Sequence, residues 1–252
     1  MDFGLFIEFP CREGMTEREA FAECFALVDE AEAHGVDSVW LAEYHFAQIS
    51  VLSSPITIAS AIAARTQHIR VGLAVVLLPL AHPIHIAEDI ATLDHISQGR
   101  VEFGVGRGTF PDTHDGFNSP FAESRERFEE YLEIILKAWT TERFSFTGKY
   151  YQCENLYVRP KPLQRPHPPI RIGITSEATF PIIGRLIINP SRVFALSELG
   201  SYIQQYRQAW HEAGHVGTPQ VGLRVPLYVA ETAESAYAEP KSSTMAAVHG
   251  LG

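Results

Sequence analysis

Three short stretches carry residue types that could do chemistry. The first is Gly106-Arg107-Gly108, directly after the strand-like run Val101 to Val105. Arg107 offers a permanently charged, forked guanidinium suited to phosphate. Gly104, Gly106 and Gly108 allow a ligand to approach the backbone closely. The same residues also describe a plain turn with Arg107 paired to an acid, and both readings stand. The spacing is not the dinucleotide-binding fingerprint, because no GxxG follows. The second stretch, Thr175-Ser176-Glu177-Ala178-Thr179, follows the run Ile170 to Ile174. Small hydroxyl residues with free N–H groups at a helix start bind anions, and they make an ordinary N-cap equally well. The third stretch, Glu43-Tyr44-His45-Phe46, puts polar and aromatic groups at the end of the run Ser38 to Ala42.

The elements that must position these stretches alternate. Phe3 to Glu8 reads as a first buried strand. Thr16 and Glu19 form a capping box that opens a helix with Phe21, Cys24, Phe25, Val28 and Ala31 on one face. Gly35 closes it. Strand Ser38 to Ala42 follows, then a helix from Pro55 to Thr66 and a strand from Ile69 to Val76. A helix after His82-Pro83 and a strand from Val101 to Val105 complete one βαβ unit around Gly99. Thr109 to Pro120 is polar and contains Gly, Asn and Pro, so it reads as a loop over one face. A helix resumes near Phe121, and Phe144 to Val158 alternates like a hairpin, so an inserted region is expected at about 143–169. Pro160, Pro162, Pro166, Pro168 and Pro169 make a stiff, extended connector. Further strands are expected at Ile170 to Ile174, within Leu186 to Phe194, and at Gly222 to Ala230, with a helix from Glu198 to His211 ended by Gly214.

Repeated βα alternation implies a parallel sheet covered by helices. The count predicts a TIM-like (β/α)8 barrel, a single domain over residues 1–252, with the eighth strand missing. An eighth strand would need a crossover of about a dozen residues or more plus the strand itself. The expectation is a barrel open between Phe3 to Glu8 and Leu223 to Ala230. Barrels of this kind keep their sites at the C-terminal ends of the strands. By that rule Glu43 to Phe46, Val75, Gly106 to Gly108 and Thr175 to Thr179 converge on one mouth.

The composition excludes some classes. A formal net charge of −10 disfavours nucleic acid and acidic membrane surfaces as partners. Three cysteines, Cys11, Cys24 and Cys153, with no CxxC fit a reducing cytoplasm and argue against zinc. The start, MDFGLFIEFP, lacks a basic n-region and reads as a strand. His82, His85, Glu88 and Asp89 do not make a metal site, because His82 starts a helix and His85 and Asp89 face outward. A glycosidase reading of Glu43 and Glu102 is weak: Glu102 alternates with the inward residues of its strand, and no second acid sits at the mouth.

The quoted residues resemble the bacterial luciferase-like flavin-dependent monooxygenase family. The resemblance rests on Val39-Trp40-Leu41 with Glu43, His45 and Phe46, on LLPLAHPIHIAED, on LDHISQGRVEFGVGRG, on Ser124-Arg125, and on Ser176 with Thr179. It covers most of residues 1 to 232. It implies a TIM-like barrel, a homodimer, and reduced FMN delivered by a separate flavin reductase. Oxygen adds to that flavin, and the adduct attacks a small organic substrate. It also implies that Arg107, Ser176 and Thr179, with Thr175 and Gly106 beside them, hold the flavin phosphate. A non-proline cis peptide at Ala74-Val75 is implied beneath the flavin ring.

The departures from the family pattern matter. The luciferase pattern Glu-His-His-Phe is Glu43-Tyr44-His45-Phe46 here, so Tyr44 replaces the His credited with acid/base work. Tyr44 and His45 are the candidate catalytic residues, and Tyr44 has a proton to donate to a peroxide. The reactive Cys of the family's fourth strand is Gly106, which opens space and removes a thiol, so light emission is not implied. Two other readings stay open: a non-catalytic flavin-binding protein like the non-fluorescent flavoproteins, and an oxidoreductase using the deazaflavin F420 on the same fold.

Overall fold

The structure, a computed structural model, describes residues 1–48, 50–174, 186–188, 199–212, 214 and 218–241. Thr175, Ser176 and Thr179 therefore lie outside the described residues, as does most of the segment expected to carry the sixth strand.

The elements follow the expected alternation. In chain order they are β1 (Gly4–Ile7), α1 (Glu17–Ala33), β2 (Ser38–Leu41), α2 (Pro55–Arg65), β3 (Arg70–Leu73), β4 (Val76–Leu77) and α3 (Pro83–Ile96). Then come β5 (Val101–Gly106), α4 (Pro111–Gly116), α5 (Ser124–Thr140), β6 (Phe144–Thr147), β7 (Gln152–Leu156) and β8 (Ile170–Ile174). The chain continues with β9 (Leu186–Ile188), α6 (Leu199–Glu212), β10 (Val221–Leu223) and α7 (Ala233–Ala238). The main sheet runs β1-β2-β3-β5-β8-β9-β10, all parallel, and β4 extends β3 along β5. This is the expected α/β barrel architecture. β6 and β7 form a separate antiparallel hairpin with a bulge, as the alternation of Phe144 to Val158 predicted.

Local chemistry explains the borders. Thr16 accepts from the Glu19 N–H at 3.3 Å while the Glu19 carboxylate accepts from the Thr16 N–H at 2.8 Å, so the capping box starts α1. Pro55 and Pro83 sit at the first helical positions, where no N–H is needed. Val39, Leu41, Val71, Leu73, Val101, Phe103 and Val105 are fully buried under the helices. Trp139 of α5 packs edge-on against Phe103, with centroids 5.3 Å apart, and donates to the Ala87 carbonyl at 2.9 Å. Arg100 ties α2, α3 and β3 together by donating to the carbonyls of Ala63, Thr66, Ile69 and Ser97.

Several expectations are corrected. The strand expected from Ile69 to Val76 is broken between Leu73 and Val76, and the Ala74-Val75 peptide at the break is cis. The segment Thr109 to Pro120 is not all loop: Pro111 opens α4, anchored by fully buried His114. The proline connector is not simply extended, since Arg159-Pro160 and Arg165-Pro166 are cis. It is fastened to α3 through Asp94, which accepts from Gln164 N and Nε2 at 2.8 and 2.7 Å. β1 buries only Ile7, and among the described residues it pairs on one side only, with β2. The strand expected at Gly222 to Ala230 stops at Leu223. A strand persists only where a neighbour pairs its backbone, and among the described residues no ladder joins β10 to β1.

Glu102 is the other correction. Val101, Phe103 and Val105 take the helix-facing side of β5, so Glu102 points into the barrel. There it pairs with Arg171 at 2.7 Å and Arg70 at 2.9 Å. Arg171 lies 5.2 Å over the Trp40 ring. The indole occupies the space that side chains at Gly72 and Gly4 would need. Buried carboxylate, two guanidiniums and indole form a filled, charge-compensated layer at the N-terminal end, away from the mouth.

Candidate active site

The C-terminal ends of β2, β3–β4 and β5 build one continuous ledge. At the end of β2, Glu43 Oε1 meets His45 Nε2 at 2.7 Å, and Glu43 Oε2 accepts from the Leu77 N–H at 3.0 Å. Both side chains are largely buried, at 11% and 14% exposed, so the pair is shielded from water. Leu77 in turn is the register partner of Gly106 at the end of β5. His45 is thus linked through Glu43 and the β4 backbone to the strand that delivers Arg107.

Ala74 and Val75 stand between these ends. Ala74 N–H donates to the Leu41 carbonyl at 2.6 Å, which fixes the cis unit against β2. The Val75 side chain fills the space where side chains at Gly106 and Gly173 would lie. Gly106 therefore makes room for Val75 on the neighbouring strand, where the sequence suggested open space. Glycine at both positions is a close-packing requirement here.

Arg107 is exposed, and its guanidinium carbon lies 5.3 Å from the Phe121 ring centroid. Among the described residues it pairs with no carboxylate. Its carbonyl is held by His114 Nε2 at 3.1 Å. Gly108 follows in the left-handed region, φ +83°, with the His114 ring packed where a side chain would point. Ser119 Oγ donates to the Pro79 carbonyl at 3.0 Å and locks the rest of this loop over the mouth.

The two catalytic candidates point to different partners. His45 packs edge-on against Phe117 at 4.7 Å, which joins the β2 end to the α4 loop. Tyr44 Oη instead donates to Glu8 Oε1 at 2.5 Å. Tyr44 also lines an open cavity of about 610 Å3 together with Phe21, Phe46, Ser50 and Val51. His45 is thus tied through Glu43 to Leu77 and Gly106, whereas Tyr44 turns to Glu8 and to the residues of that cavity. Sequence reasoning missed Glu8, His114, Phe117, Phe121 and Arg224. Glu8 and Arg224 fall inside the strands that the sequence predicts, and only the structure shows that they directly follow β1 and β10.

The luciferase-like monooxygenase family model matches residues 1–249. The chain belongs to the luciferase-like monooxygenase family. The alkanal monooxygenase alpha chain of the Kryptophanaron alfredi symbiont is 28% identical over 223 residues, covering 85% of this chain and 61% of that protein. Monooxygenase RslO1 from Streptomyces bottropensis superposes with a TM-score of 0.91 at 28% identity, covering 100% of this chain and 78% of that one. The oxygenating constituent of 3,6-diketocamphane monooxygenase from Pseudomonas putida, solved in complex with FMN, gives a TM-score of 0.84 at 24% identity. It covers 96% of this chain and 71% of that one, and it shows the shared fold. The chain spans 50% and 61% of the length of two curated relatives it matches. Among the described residues, no helix is long and apolar enough to cross a membrane.

The donor set present can be tested against the flavin that this family membership implies. An exposed guanidinium with no acid partner among the described residues, flanked by glycines at a strand end, has the chemistry of a phosphate ligand. Ala74 and Gly106 beside it are small residues, with Val75 packed against Gly106, which leaves room for a planar ring to approach. These residues fit FMN.

Proposed function

We propose that this chain is the oxygenating component of a two-component flavin-dependent monooxygenase. It would use reduced FMN from a separate flavin reductase, together with O2, to oxidise a small organic substrate, and it would work as a cytoplasmic homodimer. The observation that carries the reading is Arg107, which is exposed at the end of β5 beside the Val75 ledge and has no carboxylate partner among the described residues. Reduced FMN would supply the electrons that activate O2.

The chain's own residues would do the rest. Arg107, with Thr175, Ser176 and Thr179 after β8, would hold the phosphate dianion, whose charge an Arg fork and hydroxyl and amide donors match. Ala74 and Val75 would support the ring. Phe46 and Phe117, 5.5 Å apart, would keep water from the mouth. Glu43 would orient His45 through Nε2, and Tyr44 and His45 would face the reacting side.

Arg107→Ala should weaken FMN binding by about 1.5–3 kcal/mol and affect riboflavin much less, as for loss of a hydrogen bond to a charged group. Equal losses for the two ligands in a fluorescence titration would overturn the phosphate assignment. FMN binding without reductase-coupled, substrate-dependent oxygen consumption would favour the non-catalytic flavin-binding reading. Preferential binding of reduced F420 over reduced FMN would favour the deazaflavin reading.

A further inference from the structure

Two contacts from one buried histidine converge on Arg107. His114 of α4 is fully buried. Its Nε2 lies 3.1 Å from the Arg107 carbonyl oxygen. A carbonyl only accepts, so Nε2 carries the proton and donates it there. The same ring packs T-shaped against Phe121, with centroids 5.1 Å apart and an interplanar angle of 77°. The Arg107 guanidinium carbon lies 5.3 Å from the centroid of that Phe121 ring. His114 therefore acts on both ends of Arg107: it bonds the main chain directly and braces the ring that carries the charged group. Both supports are themselves fixed. The His114 carbonyl accepts from the Phe117 and Ser119 N–H groups at 3.1 and 3.0 Å. Ser124 Oγ donates to the Phe121 carbonyl at 2.6 Å.

The other ring nitrogen shows that packing alone does not account for this residue. With the proton on Nε2, Nδ1 holds a lone pair. Nδ1 is buried, and among the described residues it has no hydrogen-bond partner. A buried polar atom left unpaired is destabilising. An apolar side chain of similar size would fill the same space without that penalty. What the imidazole adds over such a side chain is the bond from Nε2 to Arg107.

We propose that His114 is a positioning residue for the ligand phosphate. It holds Arg107 so that the guanidinium, resting on Phe121, is in place before the anion arrives. Such pre-organisation raises affinity, because less ordering of a long side chain is left to the binding step. The proposal rests on the reading of Arg107 as the FMN phosphate ligand and extends it to the residue behind Arg107.

The test compares FMN with riboflavin, which differ by the phosphate alone, in fluorescence titrations of the wild type, Arg107→Ala, His114→Leu and His114→Gln. The wild type should prefer FMN. His114→Leu removes the donor and should reduce that preference about tenfold, the upper end of one hydrogen bond, with riboflavin affinity little changed. His114→Gln keeps a side-chain N–H within reach of the carbonyl and should restore most of the preference. A histidine that merely fills space would lower both flavins together when replaced, and parallel losses would overturn the proposal. A preference that survives in His114→Leu while Arg107→Ala abolishes it would overturn the proposal alone and leave the phosphate reading intact. A preference absent from the wild type, or kept in Arg107→Ala, would sink the phosphate reading and this inference with it. Phe121→Leu removes the platform and leaves His114 in place, so it should also reduce the preference. An unchanged preference there counts against the proposal even where His114→Leu does not fold. A further measurement needs no ligand: the Arg107 Hδ protons lie in the ring current of Phe121. In His114→Leu their NMR signals should move toward those of a free arginine, and in His114→Gln they should stay. Signals unmoved in His114→Leu would show that the histidine does not hold Arg107.

Discussion

The two flanks of the sheet are built differently. On the β2–β5 side, strand residues such as Val71, Leu73 and Phe103 are fully buried beneath α2, α3 and α5. On the β10 side, the described apolar residues form a small cluster of Leu199, Tyr206 and Trp210, and after Leu223 the side chains of Val225, Leu227 and Val229 face solvent. Sequence apolarity is similar in both places. The difference is whether a second layer lies over the strand, since burial rather than residue type yields hydrophobic stabilisation. The candidate site lies where these two kinds of construction meet. Arg107 and the cis unit belong to the well-packed flank, and Arg224 reaches over from the other.

The largest expected effect that tests this contrast is Trp139→Ala. It removes a buried indole, its contact with Phe103 and its hydrogen bond to Ala87, and should cost about 3–5 kcal/mol in denaturant unfolding. A loss near that of an exposed residue would show that the β5 flank is not the stability centre. Next comes Arg100→Met, which leaves the carbonyls of Ala63, Thr66, Ile69 and Ser97 without their donor. About 2–3 kcal/mol should be lost, and a neutral result would mean that water replaces those bonds.

A smaller effect is expected at Glu32, in the last turn of α1, which accepts from the loop between α2 and β3. Burial pushes its carboxyl up, but the N–H groups of Gln67, His68 and Ile69, at 2.6, 2.9 and 2.8 Å, together hold it below the usual carboxylate range. A depressed folded value means that the stabilisation is full above the unfolded value near 4.3 and is lost as pH falls through the folded value. Glu32→Gln should therefore cost about 1 kcal/mol at neutral pH, solvent screening included, and progressively less below about pH 4. A penalty that stays constant from pH 7 to pH 3 would contradict the assignment. The smallest effect belongs to Leu227→Ser, within about 0.5 kcal/mol, as for an exposed side chain with no layer above it. A loss as large as that of Trp139→Ala would mean that this surface is covered in solution.

Local chemistry in the sequence determined much of this protein. The βα alternation, the Thr16–Glu19 capping box, the prolines that open α2 and α3, the hairpin after α5 and the glycine-flanked Arg107 all depend on residues within a turn or a strand of one another. The resemblance to the family, carried by the runs around His82 and Gly106, pointed to the Ala74-Val75 bond, which is cis in the structure. Only the tertiary structure decided the rest. Thr109 to Pro120 read as loop because its polar residues hide one helical turn held by His114. Val75, between β3 and β4, fills the space beside Gly106 of β5 and Gly173 of β8. Glu102 has its partners 32 and 69 residues away, and the strand pattern alone does not say which face of β5 holds the barrel interior. Arg224 meets Glu8 across 216 residues. Periodicity reports which side chains share a face, whereas pairing across a barrel depends on how strands far apart in the chain are brought side by side.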